Sequence, residues 1–304
     1  MKRLIVVSAI MAVMFLTWGF IASVYAQDTA KDDKPTFYHL VPGTYVNSWP
    51  KCTVTFPKEW VEKRPMPPSL DWGEVFRAVR RGHAGDVFTI DVRPDTRPVD
   101  KLADTVMRHF THEGAKGLAV AKDKPAQLSN GTPTREVEIH GILNGSPFSF
   151  SCLAVKHGDV WLMLQVSSRS KRIGAPLNAI LSSLQYEPVK DEPVEVPPDV
   201  QAFLDKVDSD LVSHDVATVM SHYSERYLNW GETKGEVERV LGPNVKTSYA
   251  RSRTVITDFI AAGDRAYLAG FAATNFGTIP IIETSIIKEN GEWKWYGNQR
   301  DVAP

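Results

Sequence analysis

At 304 residues the chain is long enough for two domains, and its balance of 43% apolar to 23% charged residues lets each bury a core of its own. A net charge of −1 lacks the basic footprint that phosphate backbones require, so nucleic acid is excluded as the main partner. The charge is split, with 20 Lys and Arg against 15 Asp and Glu over residues 36–190 (net +5) and 11 against 15 over residues 199–304 (net −4), values that solvated surface alone accounts for.

Lys2 and Arg3 precede an apolar run over residues 4–21, followed by Ser23-Val24-Tyr25-Ala26. Charged start, apolar centre and small residues at −3 and −1 make residues 1–26 a secretory signal, cleaved after Ala26. An uncleaved N-terminal anchor is the alternative, since the run is nearly long enough to span a bilayer. Residues 27–35 form a polar spacer without apolar pattern. The protein is therefore expected to be periplasmic or secreted. In that setting Cys52 and Cys152 are candidates for a disulfide, the alternative being two buried thiols in separate strands.

Residues 36–187 read as the first domain. Period-two alternation over residues 52–56 predicts a half-buried strand stopped by Pro57, and a Pro-rich loop follows over 64–68. Residues 74–81 and 86–93 predict two strands around a Gly82–Gly85 turn. Leu102, Val106 and Phe110, with Ala103 and Met107 beside them, make one apolar stripe that predicts a helix ending at Gly114. Asn144-Gly145 is a hairpin signal between strands over 135–142 and 148–156, and a further strand covers 160–167. Leu177, Ile180, Leu181 and Leu184 share the face of a closing helix. About six mostly antiparallel strands with two helices make an α/β sandwich.

Phe56-Pro57-Lys58-Glu59-Trp60, the central helix, the Gly158-Asp159-Val160-Trp161 turn and the closing Leu-rich helix resemble the PsbP-like family. That resemblance implies an accessory or binding module rather than an enzyme. His109 and His112 stand at i, i+3, a spacing that can share a metal; a polar helix face is the plainer reading, and no metal or cofactor is expected. Arg77, Arg80, Arg81 and His83 make a basic cluster near a turn, for which an exposed hairpin is likewise the plainer reading.

Residues 188–198 carry Pro193, Pro197 and Pro198 among acidic residues and read as an extended, semi-rigid linker. Beyond it, residues 199–304 predict helices first and strands afterwards. Asp199 is placed as cap of a helix to Ser213 with Val200, Phe203, Leu204, Val207 and Leu211 on its apolar stripe. Asp215 starts a second helix. A third, from Lys234, is expected to stop at Gly242-Pro243. Four strand runs follow, over 248–261, 266–274, 279–288 and 292–299, the last two joined by Asn290-Gly291 as a type I′ turn. This predicts a cone-shaped, barrel-like α+β domain in which a curved antiparallel sheet wraps the helices.

Phe203, Ser213-His214-Asp215, His222-Tyr223-Ser224, Gly263-Asp264 and the ending from Lys288 to Arg300 resemble the nuclear transport factor 2-like superfamily, of the SnoaL-like kind. The resemblance implies a pocket between helices and sheet and a homodimer formed through the sheet, in enzymes and non-catalytic binders alike. Tyr223, Tyr227, Trp230, Trp295, Tyr296 and Asn298 are the candidate wall residues for a small hydrophobic ligand. Asp258 and Glu283, acids inside apolar strands, are the candidate general bases of an isomerase or dehydratase, and each otherwise faces water. The sequence favours an exported, non-catalytic binding or scaffold protein with a partner in the envelope.

Overall fold

The computed structural model describes residues 43–65, 73–94, 97–188 and 191–302. The chain separates into two compact units, Met1–Lys34 and Pro35–Pro304, and every described residue belongs to the second. The expected signal and the whole spacer lie outside the described residues, as does the loop beyond Pro65.

In chain order the first elements are β1 (Thr44–Asn47), β2 (Cys52–Thr55), β3 (Trp60–Lys63), β4 (Glu74–Arg80), β5 (His83–Pro94), α1 (Leu102–His112) and β6 (Lys116–Gln127). They are followed by β7 (Pro133–Leu143), β8 (Ser146–His157), β9 (Val160–Ser168), α2 (Ala175–Ser182) and β10 (Gln185–Tyr186). A seven-stranded antiparallel sheet runs β3-β4-β5-β9-β8-β7-β6, and β1-β2-β10 form a small second sheet. Strands β8 and β9 are buried along almost their whole length. That is why β9 reads as a near-continuous apolar run, whereas the first part of β8 alternates through Ser149 and Ser151, which are buried all the same. One face of the large sheet carries Phe88, Ile90, Leu162 and Leu164, packed against α2 and the small sheet. The other carries Ile139, Phe150 and Met163, packed against Leu102 and Val106 of α1. Each of these fully buried side chains contributes about 1.5–3 kcal/mol.

The second half comprises α3 (Pro198–Leu211), α4 (Val216–Ser221), β11 (Leu228–Asn229), β12 (Glu232–Thr233), α5 (Lys234–Thr247), β13 (Ser252–Ala262), β14 (Arg265–Thr274), β15 (Gly277–Glu289) and β16 (Glu292–Trp295). Strands β13 to β16 form an antiparallel meander, with register shifts at Ile256/Asp258 and Leu268/Gly270. Such bulges bend and twist a strand. Asn290 and Gly291 both have positive φ, 53° and 86°, and Glu289 pairs with Glu292 across the expected two-residue turn. The stripe of α3 packs on Ile256, Leu268, Ile286 and Trp295. The whole molecule is thus a mixed α+β structure built on antiparallel sheets.

Several expectations are corrected. Cys52 and Cys152 are free thiols, both buried, one in the core beneath α2 and the other in the core beneath α1. Burial pushes both thiols well above their usual range, Cys52 to about 12, so they behave as small apolar groups. Helix α5 does not stop at Gly242-Pro243 but continues to Thr247. The glycine lies against Val216 and Val245 is fully buried, so packing outweighs the roughly 3 kcal/mol that an interior proline costs. Asp199 is not the cap of α3, a position that Pro197 occupies. Its Oδ2 instead accepts from Lys288 Nζ and Trp293 Nε1, both at 2.9 Å, tying the first turn of α3 to the C-terminal hairpin. The edge strand β6 escapes the sequence pattern because nearly all of it is exposed and no apolar period marks it.

The described part of the Pro-rich segment is tied down. Asp191 accepts from Trp49 Nε1 at 2.7 Å and lies 2.9 Å from His157 Nε2. Val194 N–H donates to Ile256 O at the edge of β13, and Val196 is buried against α3.

On β5, Ile90 and Val92 belong to the core beneath α2, so Asp91 points to the opposite face. It is fully buried; the Gln165 and Thr89 side chains lie near its carboxyl, but neither reaches it with normal hydrogen-bond geometry. Burial raises its pKa to about 8, and the neighbouring Glu74 carboxylate adds to this; Gln165, Thr89 and Arg77 offset only part. A carboxyl raised in the folded state keeps a proton that the unfolded chain gives up, so this site makes stability fall as pH rises from about 4 to 8. Asp91→Asn is expected to raise stability at pH 8 by on the order of 2–4 kcal/mol and to flatten that fall. Urea denaturation of both forms at pH 5 and pH 8 checks it; equal gains at the two pH values would contradict a titrating Asp91.

Candidate functional site

The polypeptide between α4 and α5 positions the site. Tyr223 forms a parallel bridge with Trp295; Trp295 N–H donates to His222 O at 2.7 Å and Ser224 N–H to Trp295 O at 3.0 Å. The strand that ends the meander thereby holds the aromatic loop in place. At its far end Trp230 and Gly231 both take positive φ, 47° and 82°. Trp230 N–H donates to Asn298 Oδ1 at 2.9 Å, and Gly231 N–H to Arg300 O at 2.7 Å. Arg64, from the first half of the chain, donates through Nη2 to Gly231 O at 2.7 Å and through Nη1 to Glu236 Oε1 at 3.2 Å. So pinned, the Trp230 indole enters the core beneath α2, a core otherwise made by residues 45–186.

Beside this turn lies a cavity of about 380 Å³, inside the size range of small-molecule sites. The first half of the chain supplies Arg64, Glu74, Val92 and Pro94. Helix α5 supplies Val237, Val240, Leu241 and Asn244, and β15 supplies Ile279, Ile281 and Thr284. The aromatic wall consists of Tyr223, Tyr227, Trp230, Tyr249, Phe276 and Trp295. Four of the six wall residues expected from the sequence are therefore brought together: Tyr223, Tyr227, Trp230 and Trp295. The other two stand behind the wall. Tyr296 is sandwiched by the guanidinium groups of Arg265 and Arg226, at 4.9 and 5.5 Å from its ring centre. Asn298 does not line the cavity but fixes the Trp230 backbone.

Of the two candidate bases, Asp258 is the one whose side chain is described, and it does not line the cavity. Asp258 is exposed at the β13 bulge and is not a lining residue. Glu283 lies in β15, and its side chain is outside the described residues. The carboxyls that do line it are Glu74, held by Arg77 through two 2.7 Å bonds, and Glu232. Burial raises the Glu232 pKa; Arg64 opposes this and Glu236 adds to it. Sequence reasoning missed Glu232, Arg64 and the whole α5 wall. Their apolar and charged residues converge only through the packing of α5 and the crossing of Arg64 from the other half.

The hydroxyls of Tyr223 and Tyr227 make no hydrogen bond among the described residues, although the rings meet edge to face at 5.1 Å. Desolvation pushes both phenols far above their usual range. Both residues keep some accessible surface, and it belongs to the cavity they line. Trp230 Nε1 and Arg64 Nε are also buried without a partner. No group of three or more His, Cys, Asp and Glu residues suited to a metal occurs among the described residues. Burial lowers the pKa of His109, with Glu113 opposing. In the basic cluster, Arg77 pairs with Glu74, while Arg80 lies 3.4 Å from Asp86 and 3.7 Å from Glu59.

No family model and no curated protein matches the chain. Among solved structures, cyanobacterial PsbP (CyanoP) from Synechocystis sp. PCC 6803 is similar over 47% of this chain and 91% of its own, at 11% identity and a TM-score of 0.38. A protein from Bacteroides thetaiotaomicron VPI-5482 is similar over 83% of this chain and 88% of its own, at 8% identity and a TM-score of 0.33. At such scores neither likeness carries a functional argument.

Because their hydroxyls have no partner to lose, Tyr223→Phe and Tyr227→Phe should each change stability by less than about 0.5 kcal/mol or raise it slightly. Tyr186→Phe is the contrast: its hydroxyl lies 2.6 Å from His157 Nδ1 in the core, and losing it should cost about 1–2 kcal/mol. Chemical denaturation of the three variants decides; an equal loss in all three would mean that the cavity tyrosines are hydrogen-bonded.

Proposed function

We propose that this chain is an exported accessory protein whose cavity binds a small, mostly apolar molecule without transforming it. The observation that carries the reading is the cavity itself: about 380 Å³, aromatic-walled, with two tyrosine hydroxyls that have no protein partner. Small-molecule sites combine an apolar lining with a few polar groups left available for the ligand. Export rests on the residues 1–26 pattern. In this proposal residues 36–187 are a PsbP-like module and residues 199–304 a nuclear transport factor 2-like one, and three helices followed by a four-strand meander is the element order that the latter requires. A second reading, acid–base catalysis, is favoured by one group, the cavity carboxyl of Glu232 with its raised pKa.

Native mass spectrometry on protein isolated from the envelope fraction of the producing cell tests both halves of the proposal. The expected mass begins at Gln27, and a small molecule travels with the protein. Val240→Trp, which fills the cavity, should lose that molecule while keeping the wild-type circular dichroism spectrum. A chain still carrying Met1 would overturn cleavage. A molecule retained equally by Val240→Trp would overturn the cavity as its site, and recovery of a mixture of substrate and product would favour Glu232 catalysis.

A further inference from the structure

Three loops meet at one end of the seven-stranded sheet. Trp60 pairs with Arg80, and Arg81 N–H donates to Glu59 O at 2.8 Å, which sets the turn before β3 beside the β4–β5 turn. Val87 pairs with Ser167, so the loop leaving β9 emerges beside that same turn. Arg169 lies across Gly85, where a Cβ would come within 2.5 Å of its Cγ. Residues 57–59, 80–86 and 168–174 together carry six Lys and Arg (Lys58, Arg80, Arg81, Arg169, Lys171 and Arg172) against two acids, Glu59 and Asp86. A net +4 of the +5 found over residues 36–190 is thus gathered at one end of the sheet.

Both acids are engaged. Asp86 accepts from Ser168 Oγ at 2.6 Å, and Arg80 lies 3.4 Å from Asp86 and 3.7 Å from Glu59. Lys58, Arg81, Arg169, Lys171 and Arg172 stay exposed, with His83 among them. The third loop runs straight into the N-terminus of α2, which has no side-chain cap and no acidic residue in its first turn. The helix dipole therefore adds to the positive field.

The character of the patch selects among anions. A discrete small anion is gripped by groups that converge in a recess, whereas these cations stand on three loop tips and none lines the cavity. A stable protein partner needs an apolar centre, and among the described residues no large exposed apolar side chain lies in these loops. Lys and Arg on long flexible stems suit a plane of phosphates whose positions are not fixed, and each adds its own attraction toward an anionic leaflet. The envelope location proposed above supplies such a surface.

We propose that this three-loop end of the molecule is a contact surface for the phosphate headgroups of an anionic bilayer, with Arg81, Lys171 and Arg172 supplying most of the attraction.

Co-sedimentation of the full chain with lipid vesicles tests it. Vesicles of phosphatidylcholine alone are compared with vesicles of phosphatidylcholine and phosphatidylglycerol, so that any insertion of the apolar residues 4–21 counts in both. The wild type should bind the anionic vesicles about a hundredfold more tightly, and added salt should shrink the difference. Arg81→Gln/Lys171→Gln/Arg172→Gln should bring the two affinities within about threefold of each other. The control Lys101→Gln/Arg108→Gln/Lys116→Gln removes the same charge from exposed positions around α1 and should change the anionic affinity by less than about threefold. Equal losses in the two variants would mean that overall charge acts and not this patch, and equal wild-type binding to both vesicles would exclude headgroup recognition; either overturns the proposal. So does release of the protein by glycerol 3-phosphate at an ionic strength where sodium chloride releases little, which would mark a discrete phosphate site. Tighter binding to poly-glutamate than to the anionic vesicles would overturn it in favour of an acidic protein partner.

Discussion

The structure depends on the capture of one side chain, Trp230, by a core that another part of the sequence builds. Its backbone sits in the left-handed region, which a tryptophan does not adopt without help. Help comes from three directions: Asn298 Oδ1 on its own N–H, Arg300 O on the next N–H, and the Arg64 guanidinium on the carbonyl of Gly231. The burial of a large indole offsets the strain, since the full burial of an aromatic contributes about 1.5–3 kcal/mol and the αL backbone costs on the order of 1–3. Once Trp230 is fixed, the aromatic loop behind it faces the edge of the seven-stranded sheet across a gap that side chains do not fill.

That gap leaves the Tyr223 and Tyr227 hydroxyls reachable: neither makes a hydrogen bond among the described residues, and both belong to residues that line the cavity. Here the two rings are held by backbone bonds on either side, from Met220 to Trp295, and the hydroxyls are left to whatever occupies the space. The same economy appears in the opposite sense at Tyr186, whose hydroxyl closes a buried chain through His157 to Asp191 and so helps anchor the Pro-rich segment.

Contacts between the first and second halves follow the same logic of a few directed bonds. Thr278 Oγ1 donates to the Asp159 carboxylate at 2.7 Å, Trp49 stacks on Phe271 at 4.8 Å between ring centres, and Arg300 pairs with Glu62. Each joins residues more than a hundred positions apart. Glycine makes the closest approaches possible: at Gly297, with φ of 77°, a Cβ would lie 2.2 Å from Leu228 O, and the strand leaving Trp295 could not pass under the aromatic loop.

Much of the architecture was legible in the chain itself, where local periodicity and local stereochemistry decide the outcome. The stripe of Leu102 and Val106, the Asn290-Gly291 turn, the Asp215 cap and the order of helices before a meander all follow from neighbours within a turn or a hairpin. Tyr223, Tyr227, Trp230 and Trp295 were named under the superfamily resemblance, and the cavity they line forms only when the loop docks on the last strand. Tertiary structure alone decided the rest. Whether Pro243 ends α5 depended on Val216 and Val245, and whether Asp199 caps a helix or holds Lys288 and Trp293 depended on where the last hairpin docks. Whether Cys52 reaches Cys152 depended on how the layers stack, Cys52 lying in the small sheet over one face of the large sheet and Cys152 facing the core on the other. The described carboxyls that line the cavity are Glu74 and Glu232 and not Asp258, because burial is a property of the whole packing. A strand's alternation shows that two faces exist, and only the assembled layers determine which of them meets water.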